Sequence, residues 1–283
     1  MLVSPAQAAG DKLLLTGGVS SVDGAAGGGL TPWALIGSYA STGQWGVTAF
    51  GSQFRSQSHR LAVHGLTLAW NDRLELSLAR QRLDTGTTGT ALGLPGLVLQ
   101  QDIVGLKWHL AGDAVLDSDS LMPALAVGVL AKRADPGGLA PTLASLGATR
   151  SGVELYFNAT KLLLAQGLLV NATLRASKAN QNGLLGFGGA AHSGHRVLPE
   201  LSLAWLLHRS LAVGAEFRVK PGNLNPSALG AGLKEDHWRD LFLAWAPSKQ
   251  LSLTAAWVDL GAIVPAVNPK RQTGAYLSVQ LAH

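Results

Sequence analysis

The chain has 283 residues, of which 47% are hydrophobic and only 14% charged, with 35 glycines, no cysteine and a formal net charge of +5. The missing cysteines exclude a disulfide scaffold, a cysteine-ligated metal centre and a cysteine nucleophile, and the charged fraction is far below the roughly 25% of a soluble domain. Mean hydropathy is positive, at +0.22, yet the longest apolar run, residues 121–131, contains a proline and falls well short of the about 20 residues of a spanning helix. A glycine-rich chain too apolar for water and without membrane helices points to a transmembrane β-barrel, because only helices and closed barrels satisfy every backbone group in lipid. The basic residues form no run interleaved with aromatics, which leaves nothing to recommend a nucleic-acid partner.

At the N-terminus, Ala6-Gln7-Ala8 fits the small-x-small pattern of a signal-peptidase site, with only Met1–Pro5 ahead of it. Residues 1–11 are read as the remnant of a signal peptide, the alternative being an ordinary disordered start, and residues 12–283 as the barrel. From there on, period-two alternation is nearly continuous. His64, Leu66, Leu68 and Trp70 share one face, followed across Asn71-Asp72-Arg73 by Leu74, Leu76 and Leu78. The same hairpin pattern returns around His208-Arg209-Ser210 and around residues 246–250. The strands predicted in chain order are 12–22, 30–41, 45–54, 60–70, 74–83, 98–110, 121–132, 150–161, 166–177, 197–208, 211–220, 238–247, 250–259 and 274–283. They describe an all-β, antiparallel up-and-down barrel of about fourteen strands, with twelve or sixteen as alternatives.

The connections sort by parity. Those at 42–44, 71–73, 162–165, 209–210 and 248–249 are tight, with 111–120 as an exception, whereas 84–97, 133–149, 178–196, 221–237 and 260–273 are long. Outer-membrane barrels have this asymmetry, with short periplasmic turns and longer extracellular loops. Trp45, Trp70, Trp108, Trp205 and Trp245 fall near the short-turn ends, and Trp33, Trp238 and Trp257 near the opposite ends, as expected of two interfacial aromatic belts.

The stretches LLLTGGVSSVDGAAGGGLTPWALIG (13–37), ELSLARQ (75–81), QQDIVGLKWHLAGDAVLDSDS (100–120) and NATLRASKANQNGLLGFGG (171–189) resemble a family of proteobacterial proteins of unknown function, Domain of Unknown Function 3034. The resemblance covers nearly the whole chain. It implies an outer-membrane location and carries no assigned activity or functional residue.

Few motifs suggest chemistry. The glycines of residues 24–29 lack the GxxxxGK[ST] spacing and precede no helix, so they read as a tight loop or as places where the strand bends and neighbours pack. His192-Ser193-Gly194-His195 offers a serine with histidines, but inside a long connection with no strand to hold the geometry, and no carboxylate stands nearby to complete a metal site. No cofactor motif is present, and no enzymatic activity is expected.

The polar face is more informative. Turned inward, it carries Glu75, Lys107, His109, Glu154, Tyr156, Asn158, Asn171, Thr173, Arg175, Glu200, Glu216, Arg218, Lys220, Ser252, Thr254, Ser278 and Gln280. Such a lumen is polar and close to neutral, fit either for a wet pore of weak ion selectivity or for cross-strand salt bridges that close it. Pairing Leu207 with Leu211 across the turn sets Glu200 opposite Arg218 and Ser202 opposite Glu216, and a one-residue slip would turn the leucines into the lumen. With only residues 1–11 ahead of the first predicted strand, no plug is expected, so closure falls to loops or lumen side chains. Arg80 and Arg82 continue a lipid-facing series, with His64 opposite Arg80. They are read either as contacts to lipopolysaccharide phosphates or as side chains snorkelling at the rim. The expectation is a monomeric or weakly oligomeric outer-membrane barrel in contact with membrane lipid and lipopolysaccharide, passing small solutes. The rival is an outer-membrane enzyme acting on lipid, and a third reading is a docking barrel without conductance.

Overall fold

The computed structural model describes Lys12, Leu14, Leu15, Gly17 and residues 19–114, 122–224 and 232–283. Residues 1–11, with the signal-peptide reading they carry, lie outside the described residues. Two two-residue strands, β1 (Val19–Ser20) and β2 (Ala26–Gly27), form a miniature hairpin. The wall follows as β3 (Trp45–Ser56), β4 (Arg60–Trp70), β5 (Leu74–Asp84), β6 (Val98–Ala111), β7 (Ala124–Asp135), β8 (Ser151–Leu163), β9 (Leu168–Ser177), β10 (Arg196–His208), β11 (Leu211–Arg218), β12 (Trp238–Trp245), β13 (Leu251–Asp259) and β14 (Thr273–Ala282). Each wall strand pairs antiparallel with its sequence neighbours, and β14 returns to β3, so the sheet closes as a twelve-stranded barrel.

Twelve strands replace the fourteen expected. The stretches 12–22 and 30–41 are not wall: residues 19–38 are buried without a break and fill the lumen. They alternate, but glycine, serine or alanine interrupts each alternating row, so no row of large apolar side chains runs the length of either stretch. Their size suits a crowded interior instead. The N-terminal segment is therefore a plug, contrary to the expectation that none would fit.

The wall obeys the period-two pattern throughout. Leu66, Leu76, Leu78, Leu106, Leu201, Leu203, Leu241, Leu277 and Leu281 are exposed on the outside, while the intervening side chains are buried within. Turn chemistry sets several hairpins: Asn71 and Asp72 both adopt positive φ, at 58° and 49°, the geometry of a tight primed turn. Inside the barrel, three aromatic rings lie over glycines directly across from them, Phe50 over Gly65, Tyr156 over Gly128 and Phe242 over Gly214. A Cβ at Gly128 would lie 2.1 Å from the Tyr156 ring, so each glycine makes room for its ring and lets the wall bend. Between β10 and β11 the register runs Glu200 to Arg218 and Ser202 to Glu216, as the alternation predicts, but a bulge sets His208, not Leu207, opposite Leu211.

The connections 71–73, 164–167, 209–210 and 246–250 crowd one end. The loops 85–97, 136–150, 178–195, 219–237 and 260–272 crowd the other, where the turn 57–59 is the one short link. Short helices α1 (Gly86–Ala91) and α2 (Ala140–Ser145) stiffen two of these loops. At the short-turn end Trp45, Trp70, Trp108, Trp205 and Trp245 project outward, and Trp257 projects outward near the other end. Trp33 and Trp238 do not belong to the belts. Trp33 sits in the plug, and Trp238 has the inward parity of Asp240 and Phe242. Among the described residues no helix is long and apolar enough to cross a membrane. The chain is an outer-membrane β-barrel, its exposed apolar girdle facing lipid.

Candidate functional site

The site is the occluded lumen. Backbone groups of a segment without regular pairing need partners, and the plug takes them from side chains that the wall aims inward. Ala26 N and Gly37 N donate to the two Glu75 carboxylate oxygens at 3.0 and 2.7 Å. Lys107 Nζ, 3.1 Å from the same carboxylate, donates to Ala26 O and Leu35 O. The opposite wall repeats the device: Leu30 N donates to Glu216 Oε2 at 2.7 Å and Thr31 Oγ1 to Glu216 Oε1 at 2.6 Å. Pro32 O accepts from Asn171 Nδ2 and Thr173 Oγ1, Ala34 N donates to Thr160 Oγ1, and Trp33 Nε1 donates to Ser202 Oγ. Gly28 passes so near Glu216 that a Cβ there would lie 2.1 Å from its Oε1, and a larger residue would push that carboxylate off Thr31 and Ser202.

The tip of the plug hairpin carries its one acid, Asp23, into a buried ionic cluster. Lys132 Nζ lies 2.8 Å, Arg218 Nη1 3.0 Å and Arg175 Nη1 3.3 Å from its carboxylate. Two wall carboxylates complete the set: Glu154 pairs with Lys132 at 2.5 Å, and Glu200 pairs with Arg175 Nε at 2.6 Å and with Arg218 Nε at 3.1 Å. Three cations and three carboxylates thus cancel in a region shut off from water. Removing one member would strand a buried charge, which costs about 3–5 kcal/mol.

From the other end the 178–195 loop folds in and meets the plug. Gln181 and Asn182 hold positive φ, at 44° and 63°, which turns the Asn182 amide down into the cluster. Its Nδ2 donates to Asp23 Oδ1 at 2.8 Å, and its Oδ1 accepts from Arg218 Nη2 and Lys132 Nζ. The lumen is thus closed from both ends, with Asp23 and Asn182 at the meeting point.

Most of the sequence-derived lumen residues point inward, but into a filled interior rather than onto an open pore. Glu75, Lys107, Glu154, Tyr156, Asn158, Asn171, Thr173, Arg175, Glu200, Glu216, Arg218, Lys220, Thr254, Ser278 and Gln280 are buried and Ser252 is half-buried. His109 stands apart at the short-turn rim, its Nδ1 3.3 Å from Asp72 O. Lys220 sits above the barrel proper, over the Trp238 ring and 3.8 Å from Glu235. Sequence reasoning missed Asp23, Lys132, Asn182 and Asp240. Lys132 falls at the end of the predicted strand 121–132, and the polar, uncharged run Asn180-Gln181-Asn182-Gly183 reads as solvent loop. His64, Arg80 and Arg82 face outward; Arg80 forms a two-pronged ion pair with Asp102 on β6. His195 Nε2 lies 2.8 Å from Val153 O, and among the described residues no hydrogen bond joins Ser193 to His192 or His195.

The fold has solved relatives. The NanC porin superposes with a TM-score of 0.52 at 6% identity, and the KdgM porin with 0.50 at 9%. In both, the match covers 83% of this chain and 98% of the other. The COG4313 outer membrane channel from Pseudomonas putida F1 is similar at a TM-score of 0.49 and 13% identity, over 86% of this chain and 97% of the other. At these identities the likeness is one of fold. No curated protein matches the sequence. The family described as Protein of unknown function (DUF3034) matches residues 16–280, and the chain belongs to it.

Proposed function

We propose that the protein is a passive outer-membrane channel for small hydrophilic solutes, not an enzyme, and that its N-terminal segment holds it shut. The observation that carries this reading is the character of the plug–wall contact. Beside apolar packing of Val22, Leu30, Trp33 and Leu35 on wall side chains, it is dense in hydrogen bonds and ion pairs to side chains that a wet pore would also present, so water and solute can take over each polar contact when the plug withdraws. With the plug withdrawn, Lys132, Arg175 and Arg218 outnumber Glu154 and Glu200 at one level, while the cross-strand partners Glu216 and Asp240 form an acidic pair at another, with no cation in hydrogen-bond contact among the described residues. A cationic filter and an acidic filter in series give weak ion selectivity. The porin fold shared with KdgM and NanC supports the reading.

The chain has no cysteine, so a tether can be introduced cleanly. A Cβ at Gly37 would lie 3.1 Å from Thr67 Cγ2 on β4, and Gly37→Cys with Thr67→Cys ties plug to wall. In planar bilayers the oxidised double variant is expected to be silent and to recover the conductance of the parent chain on reduction. Equal conductance in both redox states would refute gating by the plug, and a parent chain without discrete conductance would refute the channel.

A further inference from the structure

The outside of the barrel is not uniform. On β10 the outward series Leu207, Trp205, Leu203, Leu201, Pro199 and Val197 runs ten residues without a charge. On β6 the apolar series ends after Val104, and Asp102 follows six residues from Trp108. At about 3.4 Å per residue and a tilt near 40°, that is about 16 Å of height, against the usual apolar band of about 25 Å. The early polar boundary spans adjacent strands: His64 on β4 faces Arg80 on β5, Arg80 faces Asp102, and Asp102 faces Arg133 on β7. Headgroup chemistry is needed here at a depth where the other flank still meets acyl chains.

Beside this boundary, on β14, β3, β4 and β5, lies a groove of about 520 Å³ with an apolar floor of Ala62, Ala275 and Leu277 and a rim of Arg55, Arg60 and Arg82. It adjoins a polar cleft of about 270 Å³ formed by the 57–59 turn and the same Arg55 and Arg60. Because that turn is the one short link among the long loops, the loop rim has a notch directly above the groove. Arg55 and Arg60 are cross-strand partners, and like charges placed so are destabilising. Asp84, opposite Arg60, lines both the groove and the cleft and accepts from the Gly86 amide at Oδ1. Among the described residues none of the three arginines makes an ion pair, whereas Arg80, Arg239 and Arg271 all do. A shape with an apolar floor, cations above it and an opening toward the headgroups matches a lipid whose acyl chains lie under phosphates. An isologous second copy would bring arginine against arginine.

We propose that this groove is a binding site for a phosphorylated, multiply acylated lipid of the outer leaflet, lipopolysaccharide, with an acyl chain on Ala62, Ala275 and Leu277 and a phosphate bridging Arg55, Arg60 and Arg82. The site is separate from the lumen, and the test involves no conductance, so its outcome leaves the channel reading untouched. Full-length protein in detergent is incubated with bisphosphoryl lipid A, with phosphatidylglycerol, or with no lipid, and retained lipid is read by native mass spectrometry. Bisphosphoryl lipid A is expected to stay bound, and Arg60→Gln with Arg82→Gln to weaken retention at least about tenfold, the scale of one charge-assisted contact. Arg271→Gln, on an arginine already paired with Asp259, is expected to leave retention unchanged. Without lipid, Arg60→Gln is expected to keep or raise the temperature of heat unfolding, since it relieves the pairing with Arg55. Equal retention of phosphatidylglycerol, unchanged retention in the double variant, or a lipid-independent dimer lost on Arg60→Gln would each overturn the assignment.

Discussion

Asp23 is the most informative residue to perturb, because it belongs to the plug while most of its partners belong to the wall. Asp23→Ala leaves Lys132, Arg175 and Arg218 facing only Glu154 and Glu200. Truncating one partner of a buried ion pair costs about 3–5 kcal/mol. The docked plug bears that cost, and a withdrawn plug, with water around the cations, escapes it. At about 1.4 kcal/mol per tenfold, docking weakens by about two to three and a half orders of magnitude. A channel open about one part in a thousand would be brought close to half open. Asp23→Asn keeps the shape without the charge and is expected to open the channel nearly as much. Adding Lys132→Met to Asp23→Ala restores the balance at two cations to two carboxylates and should recover part of the closure, a coupling that a double-mutant cycle measures directly. The assay is open probability of the purified chain in planar bilayers, with heat-dependent mobility in dodecyl sulfate as the check that the wall is intact. If Asp23→Ala and Asp23→Asn both gate like the parent, the ionic cluster does not hold the plug.

Two further outcomes follow from the geometry. With Trp45, Trp70, Trp108, Trp205, Trp245 and Trp257 changed to Phe, the remaining Trp33 and Trp238 fluorescence should be insensitive to brominated lipid that quenches the parent, and strong quenching would place those two rings at the lipid surface after all. In the rim turn, burial pushes His59 below its ordinary value although Gln272 and Asp84 favour its charged form. Since the folded value lies below the unfolded one, the undocked turn binds the proton more tightly, so docking on Gln272 is full above about pH 6.5 and weakens as pH falls through that region. Hydrogen exchange at residues 56–59 should rise in acid in the parent and lose that dependence in His59→Gln; the same pH course in both would refute it.

Much of this molecule is legible in its sequence because a barrel in lipid is a strict grammar. Leu201, Leu203 and Trp205 must face lipid, which sends Glu200 and Ser202 inward and fixes their partners as Arg218 and Glu216. The same parity rule places Trp238 inside, on the row of Asp240 and Phe242. The plug escaped because alternation alone does not say which side of the wall a strand-like segment occupies. What distinguishes the stretches 12–22 and 30–41 is the size of the side chains that would have met lipid, with Gly17 and Gly37 among them. The inward fold of the 178–195 loop left no trace, since Asn180, Gln181 and Asn182 serve equally in water and in a dry network. Lys132 was hidden by its place near a strand end, where a lysine usually reaches for solvent.

The plug also puts a load on one particular joint of the barrel. It runs directly into β3, and β3 is the partner of β14, where the sheet closes on itself. That β3–β14 seam is held inside by Ser52 bonded to Ser278, with Tyr276 behind it. Residues 26–37 are held on Glu75 and Lys107 of β5 and β6, two and three strands away from the seam. A pull on the plug is therefore borne at one end by those two side chains and at the other by the strand that closes the wall.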